Sequence, residues 1–452
     1  MGYYLWTGRF TEARATLDNI YAHTDQIGSK LQLSAIKAME AQYFLIMAEA
    51  DKCVQVIDSS LQMMDKTGIR VWETHFLVLG AGCCLNCGEH QKATYYLQKV
   101  EKNIEQARLL ERSYFFVVKT LEALLKDDLI AADRHQETAL KMAKAIGMPS
   151  YTLWCLYGSA LVAVYQEEHS KALSRFDQVL SLATIPGNPW FICQAHLGLA
   201  YMYLRENNQK HAREHLQQAF SLARQNNYLT FFFFLPQMME TLAVTALEEE
   251  IEVDFVQKFI AHWNLAPEHP PLHLANWPWP LKIYTLGRFS VVCHGKKLDA
   301  ASLAGGKPIM LLRALIALGG RQVRKSQLVD IFWPDSNGDE QLAALKITLH
   351  RLRKLIGIKD ALIQTTNHLS LNPCYCWVDS WQFERLANQA LNSNWGGGQE
   401  AVKKTFAIYR GAFLSSFQEE LWGLAYRQRL ESIFKKLTDL YPQEAVDHTI
   451  GK

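Results

Sequence analysis

Six small residues recur through the first half of the chain at a nearly fixed interval. Ala13, Cys53, Ala93, Ala132, Ala172 and Ala212 are separated by 40, 40, 39, 40 and 40 residues. Four positions after each stand Leu17, Ile57, Leu97, Gln136, Phe176 and Leu216, and three further on Ile20, Ser60, Val100, Ala139, Val179 and Ala219. Small, large, small-to-medium at i, i+4 and i+7 describes one helix face packed closely on a neighbour. A third register, Gly28, Gly68, Arg108, Gly147, Gly187 and Asn227, keeps the same spacing and marks helix ends. Glycine and asparagine suit the left-handed residue that follows a helix C-terminus; Arg108 breaks the pattern, so that unit is expected to end differently. A second apolar helical run precedes each small residue, as in "WFICQAHLGLAYMYLRE" before "NNQKHAREHLQQAFSLARQNN". Each unit is therefore a helix pair, and stacked pairs build a solenoid over residues 1–265.

The pattern resembles tetratricopeptide-type repeats: Ala212, Leu216 and Ala219 match the second-helix signature, and Leu199, Ala200 and Tyr203 the first. The period is longer than the ~34 residues usual for that family. In this it is similar to the lengthened repeats of MalT-like bacterial regulators, which implies an arm that senses an inducer or a protein partner. Such relatives also carry an upstream nucleotide-binding domain, which these residues do not encode. The opening "MGYYLWTGRFTEA" supplies only the tail of a first helix. Tyr3, Tyr4 and Trp6 are therefore expected to lie open unless something else covers them, and Met1 is read as internal to a larger gene product.

Composition narrows the classes. No run of 18 apolar residues is present, the densest stretch being "TFFFFLPQMM", and the start lacks the basic-then-apolar order of a secretory signal. Nine scattered cysteines form no disulfide framework, so a reducing, cytoplasmic setting is expected. "CCLNC" (83–87) and "CYC" (374–376) are read as small buried side chains, and "AGGKP" (304–308) lacks the glycine spacing and following Ser or Thr of a phosphate loop. No catalytic set, metal site or cofactor site is expected.

The net charge of +2 hides a segregation. Residues 1–279 carry 24 Lys and Arg against 30 Asp and Glu, residues 280–376 carry 14 against 6, and residues 377–452 carry 9 against 9. A basic block of that kind suits a polyanion partner. It follows "APEHPPLHLANWPWP", residues 266–280, whose five prolines stop helix and whose Trp277 and Trp279 are expected to pack on a flanking domain. Short strands come next in "LKIYTLG" and "RFSVVCHG", then a helix in "KPIMLLRALIAL" and a second in "SQLVDIFW" with Ser326 as its cap. A third helix runs from about Asp339 to Ile356, capped at Asn337 or Asp339 and stopped at Gly357. Leu342, Leu345, Leu349, Leu352 and Ile356 form its apolar stripe; Ala343, Ile347, His350, Arg351 and Lys354 lie opposite, flanked by Lys346 and Arg353. "ALIQTT" and "HLSLNP" make a hairpin with its tip at Thr366 and Asn367.

This order, with "KIYTLGRFSV", "KPIMLLRALIALGGRQVRKSQLVDIFWPD" and "ALKITLHRLRKLIG", resembles the OmpR-like winged helix of SARP-type regulators. "WVDSWQFERLA" and "YRGAFLSSFQEELWGLAYRQRLES", through Tyr409, Arg410, Gly411, Phe413, Leu414 and Trp422, resemble the start of the bacterial transcriptional activator domain that follows it in that family. The resemblance implies a mainly α chain: a tetratricopeptide-like solenoid (1–265), a Pro/Trp linker (266–280), a winged-helix α+β domain (281–376) and a partial activator-type helical domain (377–452). It implies a DNA-binding transcriptional regulator whose partners are double-stranded DNA and RNA polymerase. Lys346, Ile347, His350, Arg351, Arg353 and Lys354 would meet the major groove, Thr366 and Asn367 would form a wing contact, and Trp333, Asp335 and Asn337 a polymerase-contact loop. The alternative is a protein-interaction scaffold in which the winged helix is a protein-contact module.

Overall fold

The computed structural model describes residues 1–23, 29–185, 187–304, 306–392, 398–417 and 419–442. The chain is mainly helical and divides into two compact units, Met1–Leu265 and Ala266–Lys452.

Helices of the first unit come in consecutive pairs. These are α1 (Gly2–Trp6) with α2 (Phe10–Ala22), α3 (Lys30–Ile46) with α4 (Ala50–Thr67), α5 (Glu73–Asn86) with α6 (His90–Glu101), and α7 (Leu109–Leu125) with α8 (Leu129–Ile146). Then come α9 (Pro149–Tyr165) with α10 (His169–Thr184), α11 (Pro189–Arg205) with α12 (Gln209–Asn226), and α13 (Pro236–Glu248) with α14 (Val253–Trp263). The small register from Ala13 to Ala212 is fully buried on the second helices, and the larger register from Leu17 to Leu216 is buried one turn further on. At three of these positions, Ile57, Gln136 and Phe176, the facing first helix supplies glycine. A Cβ on Gly198 would stand 2.4 Å from the Phe176 ring, one on Gly158 2.6 Å from Gln136, and one on Gly80 3.0 Å from Ile57. The close approach thus depends on paired sizes on both helices.

Gly68, Gly147 and Asn227 take the left-handed conformation directly after α4, α8 and α12, and Gly187 has a φ of 64°. Gly28 lies outside the described residues. Arg108 departs because it begins the next helix instead: its extended backbone caps α7, and Glu111 reaches back to its N–H. A register the sequence does not advertise sits at the turn inside each pair. Gly8, Ala48, Gly88, Asp127, Glu167 and Asn207 all have positive φ, again 40, 40, 39, 40 and 40 residues apart. Only two are glycine, so the bend is enforced by the packing around it.

The open first pair is covered by a route the repeat pattern does not reveal. The ring of Trp6 packs on Tyr151 and Trp154 of α9, with centroids 5.0 and 6.3 Å away, and Phe10 meets Trp190 of α11 at 5.4 Å. Asn188 donates to the Trp6 carbonyl, and the Tyr228 hydroxyl donates to the Gly8 carbonyl at 2.9 Å. Leu5 is buried, while Tyr3 stays exposed. The arm therefore curls until its first pair meets its fifth and sixth.

Between α12 and α13 the chain crosses the interior as a strap, Tyr228 to Leu235, buried at all but Leu229, which includes four consecutive phenylalanines. Its backbone is held by side chains of first helices. Phe232 N–H donates to Gln194 on α11 (3.3 Å), Phe234 N–H to Asn86 on α5 (3.2 Å), and Trp190 Nε1 to the Thr230 carbonyl (3.0 Å). Phe232 lies 3.9 Å from Trp154 and stacks on Tyr114 of α7. Helices α5 and α9 are consequently buried nearly all round, which accounts for their almost uninterrupted apolar sequences.

That burial gives the arm a pH signature. His75 on α5 is buried, and burial, helped by the Arg108 charge, pushes its pKa down to about 4 from an ordinary value near 6.5. The folded chain refuses a proton that the unfolded chain accepts, so stability is full above about pH 6.5 and is lost as pH falls towards 4. Urea unfolding should show a loss on the order of 3 kcal/mol from this group across that window. His75→Gln should flatten the dependence; an unchanged slope would remove His75 as its source.

The second unit is built on two small sheets. Strands β1 (Leu281–Tyr284), β2 (Ser290–Cys293) and β3 (Lys296–Lys297) form an antiparallel meander. After α15 (Ala300–Ala304) and α16 (Gly306–Ala317), β4 (Val323–Arg324) leads into α17 (Lys325–Phe332) and α18 (Gly338–Ile356). The hairpin of β5 (Leu362–Gln364) and β6 (His368–Leu371) pairs with β4 in the order β4-β6-β5. Then β7 (Cys376–Val378) returns to lie parallel to β1, completing the order β3-β2-β1-β7, and α19 (Asp379–Asn392), α20 (Gly398–Ile408) and α21 (Leu424–Leu440) follow. One hydrophobic core runs through all of it, from Leu281 to Leu437. Trp277 and Trp279 are buried in this unit, the latter donating to the Leu274 carbonyl. Two local expectations need correction. Ser326 lies inside α17, whose cap position is Arg324. Leu342 is 52% exposed: burial on α18 begins only at Leu345, so its first turn stands clear of the core.

Candidate functional site

Two exposed surfaces stand out, one on each unit. On the arm, Leu31, Val71, Leu109, Met148 and Ile185 are exposed large apolar residues, from 41% at Met148 to 85% at Ile185. Their spacings of 40, 38, 39 and 37 follow the repeat, and each lies within four residues of the start of a first helix. They recur near the starts of the first helices, one per repeat, and we refer to them together as the rim. Single exposed apolar side chains are ordinary on any protein. One such residue near the start of each of five successive first helices is a repeated feature, and exposed apolar surface of this kind is what another protein covers. Sequence periodicity could have revealed it, but these residues sit at or just before helix starts, where an apolar residue breaks no pattern.

On the second unit, α18 is positioned by its buried stripe, Leu345, Leu349, Leu352 and Ile356, together with Thr348, packed on α16 and α17. Asn337 caps the helix by accepting from the Glu340 N–H at 3.1 Å, and Gly357 ends it in the left-handed conformation. The remaining face is open: Lys346, Ile347, His350, Arg351 and Lys354 are exposed. Arg353 is half-buried and donates to Gln364 on β5 at 3.2 Å, which ties the helix to the hairpin. Thr366 and Asn367 form the exposed hairpin tip. Lys325 clamps that tip, its Nζ donating to the carbonyls of Thr365 (2.6 Å) and Thr366 (3.0 Å), a role that the sequence did not suggest. Leu342, Ile347 and Ile363 add exposed apolar area, so the surface is basic and apolar together.

The loop before α18 is otherwise occupied. Trp333 packs under Lys307, whose Nζ is 4.8 Å from the ring, and its carbonyl accepts from Gln341. Asn337 is committed to its cap, and only Asp335 of the three points freely into solvent.

No family model matches the chain, and no curated protein matches it. Among solved structures, it resembles a Rap protein complexed with competence and sporulation factor, at 11% identity and a TM-score of 0.45, covering 96% of each chain. It also resembles the apo form of RapI, at 12% identity and a TM-score of 0.35, covering 95% of this chain and 99% of that one. The expectation of a DNA-binding transcriptional activator came from motif resemblance and is corrected here: the two solved structures just described are Rap proteins, which favours the scaffold alternative. At these scores the likeness says nothing further about what this chain binds.

Proposed function

We propose that the chain is a protein-interaction scaffold. In this reading the first unit is a tetratricopeptide-like solenoid that presents its apolar rim to a protein partner. The second is an OmpR-like winged helix, continued by activator-type helices, that serves as a second protein-contact module. The observation that carries the reading is the rim of Leu31, Val71, Leu109, Met148 and Ile185. Successive first helices stack roughly 10 Å apart, so the rim offers a long, narrow apolar track suited to a helix or extended segment of another protein. The α18 face, with Lys346, Arg351 and Lys354 around Ile347, fits a partner surface that is acidic at its edge and apolar at its centre.

A photo-crosslinking amino acid at Val71, Leu109 or Met148 in the full chain is expected to capture one and the same protein. A control at Lys141, exposed on α8, is expected to capture none of it. Val71→Glu with Leu109→Glu should weaken the complex by about tenfold or more, because each buried apolar contact is worth on the order of 1–2 kcal/mol. Equal capture from Lys141 would sink the rim. Steeply salt-dependent binding of duplex DNA by the full chain, abolished by Arg351→Ala with Lys354→Ala, would overturn the protein-contact role of α18.

A further inference from the structure

In the sixth helix pair of the arm, two histidines meet edge to edge. His196 on α11 and His215 on α12 are 19 residues apart in the sequence, yet their Nδ1 atoms stand 2.9 Å apart. Their rings lie 26° from parallel, with centroids 5.2 Å apart. Neither residue belongs to the rim or to the α18 face.

Packing orients the pair. The Tyr203 ring stacks on His215 at 5.6 Å, with only 5° between the planes. His211 also stacks on Tyr203, but its Nδ1 faces Asn208 Oδ1 at 3.0 Å, so it takes no part in the pair. His196 and His215 are half-buried, so solvent still reaches them. Burial, with the His215 charge added for His196, pushes both pKa values down, and both rings are neutral near pH 7. Glu214 acts on His215 as a negative charge, which favours a cation there.

A neutral pair this close shares one hydrogen: one Nδ1 donates and the other accepts. A metal ion can take that hydrogen's place. Two nitrogens about 2.0–2.1 Å from one ion and at right angles to it are about 2.9 Å apart, whereas tetrahedral ligands would be about 3.4 Å apart. Right-angled nitrogen and oxygen ligands are what nickel(II) and copper(II) prefer. Both rings must turn about χ2 to aim their lone pairs at one point, and that torsion is soft in histidine. The donor ring then carries its hydrogen on Nε2, moved through solvent, so no proton is gained or lost. Among the described residues no group of three His, Cys, Asp or Glu side chains could hold a metal, so the protein supplies two ligands and water the others.

We propose that His196 and His215 bind a divalent late transition-metal ion, of the nickel or copper class, through their two Nδ1 atoms. The ion pins α11 to α12 within a single repeat, a link that no other pair in the arm has been given by its sequence: the registers equivalent to His215 hold Thr16, Val56, Tyr96, His135 and Arg175.

The test uses Ni²⁺ on the untagged full chain, since nickel leaves the free cysteines unoxidised. Equilibrium dialysis should show saturable binding of one ion per chain below about 100 µM. Mg²⁺, which takes oxygen ligands, should not compete at about tenfold excess. His196→Gln and His215→Gln should each weaken binding about tenfold or more, while His211→Gln leaves it unchanged. Hydrogen exchange in the unaltered chain should slow in α11 and α12 when Ni²⁺ is added, and nowhere else in the arm. Absence of saturable binding would overturn the proposal. So would unchanged affinity in both pair variants, an equal loss in His211→Gln, or protection that appears outside α11 and α12. The exchange measurement needs no substitution, so it decides the matter even where a variant loses its fold.

Discussion

A chain ended after Cys376 is expected to lose the cooperative fold of its second unit, although strands β1–β6 and helices α15–α18 would all still be present. Strand β7, residues 376–378, is the parallel neighbour of β1, so the cut exposes the inner edge of that sheet. The next residue, Asp379, is buried, and its carboxylate accepts from Thr285 N–H (2.7 Å), Thr285 Oγ1 (2.6 Å) and Leu286 N–H (3.0 Å). Without it, two backbone donors at the end of β1 lose their partner. Phe383, Phe406, Phe413, Leu430 and Leu437 belong to the same core as Ile283 and Leu312, and Phe413 bridges to Leu286. Arg313 on α16 would suffer most. It is buried, paired with Glu420 and stacked 3.6 Å from the Phe417 ring, all downstream of the cut. Stranding that charge costs on the order of 3–5 kcal/mol, and each lost core phenylalanine a similar amount. The sum exceeds the 5–15 kcal/mol by which domains are ordinarily stable. Residues 266–376 should therefore give a broad, non-cooperative melt, whereas 266–452 should melt sharply. Equal, sharp melts for the two would show that the helices after β7 are an appendage.

The same comparison shows what the sequence could and could not convey. Periodic features were legible because they repeat. The small register from Ala13 to Ala212, the glycine and asparagine helix ends, and the α18 stripe from Leu345 to Ile356 all sit where spacing placed them. Features made by a single long-range contact were not legible. Asp379 reads only as part of "WVDSWQFERLA", and "CYC" only as small buried side chains, until β1 lies beside them. The inner turns fall on Ala48, Asp127, Glu167 and Asn207 with no glycine to mark them, because the bend is set by the packed pair and not by local preference. Exposed residues fared unevenly for a related reason. Arg351 and Lys354 are exposed opposite the apolar stripe, as helical spacing dictates, whereas Ile185 and Val71 sit at turns, and only their repetition gives them meaning.

Phe233→Ala is expected to be among the most damaging single substitutions in the arm, at about 3–5 kcal/mol. Its ring is fully buried, edge-on to Tyr157 at 5.9 Å and to Phe232 at 5.1 Å. Gly158 on α9 exists in part to admit it, since a Cβ there would lie 2.8 Å from the ring tip. The hole left by alanine cannot close easily, because its walls are held from both sides: α9 is packed on α8 and α10 behind, and on the strap in front. The strap also joins distant parts of the arm. Its backbone ties Asn86 on α5 to Gln194 on α11, and Tyr228 at its start holds Gly8. Loosening it should therefore be felt at the far end of the sequence. Hydrogen exchange in Phe233→Ala is expected to quicken at residues 2–22 as well as in α5 and α9, while the helices of the second unit keep their protection. A solenoid held only by neighbouring pairs would confine the change to α8–α11. Local quickening alone, or a loss below about 1 kcal/mol, would mean that the strap fills space without holding the curled arm together.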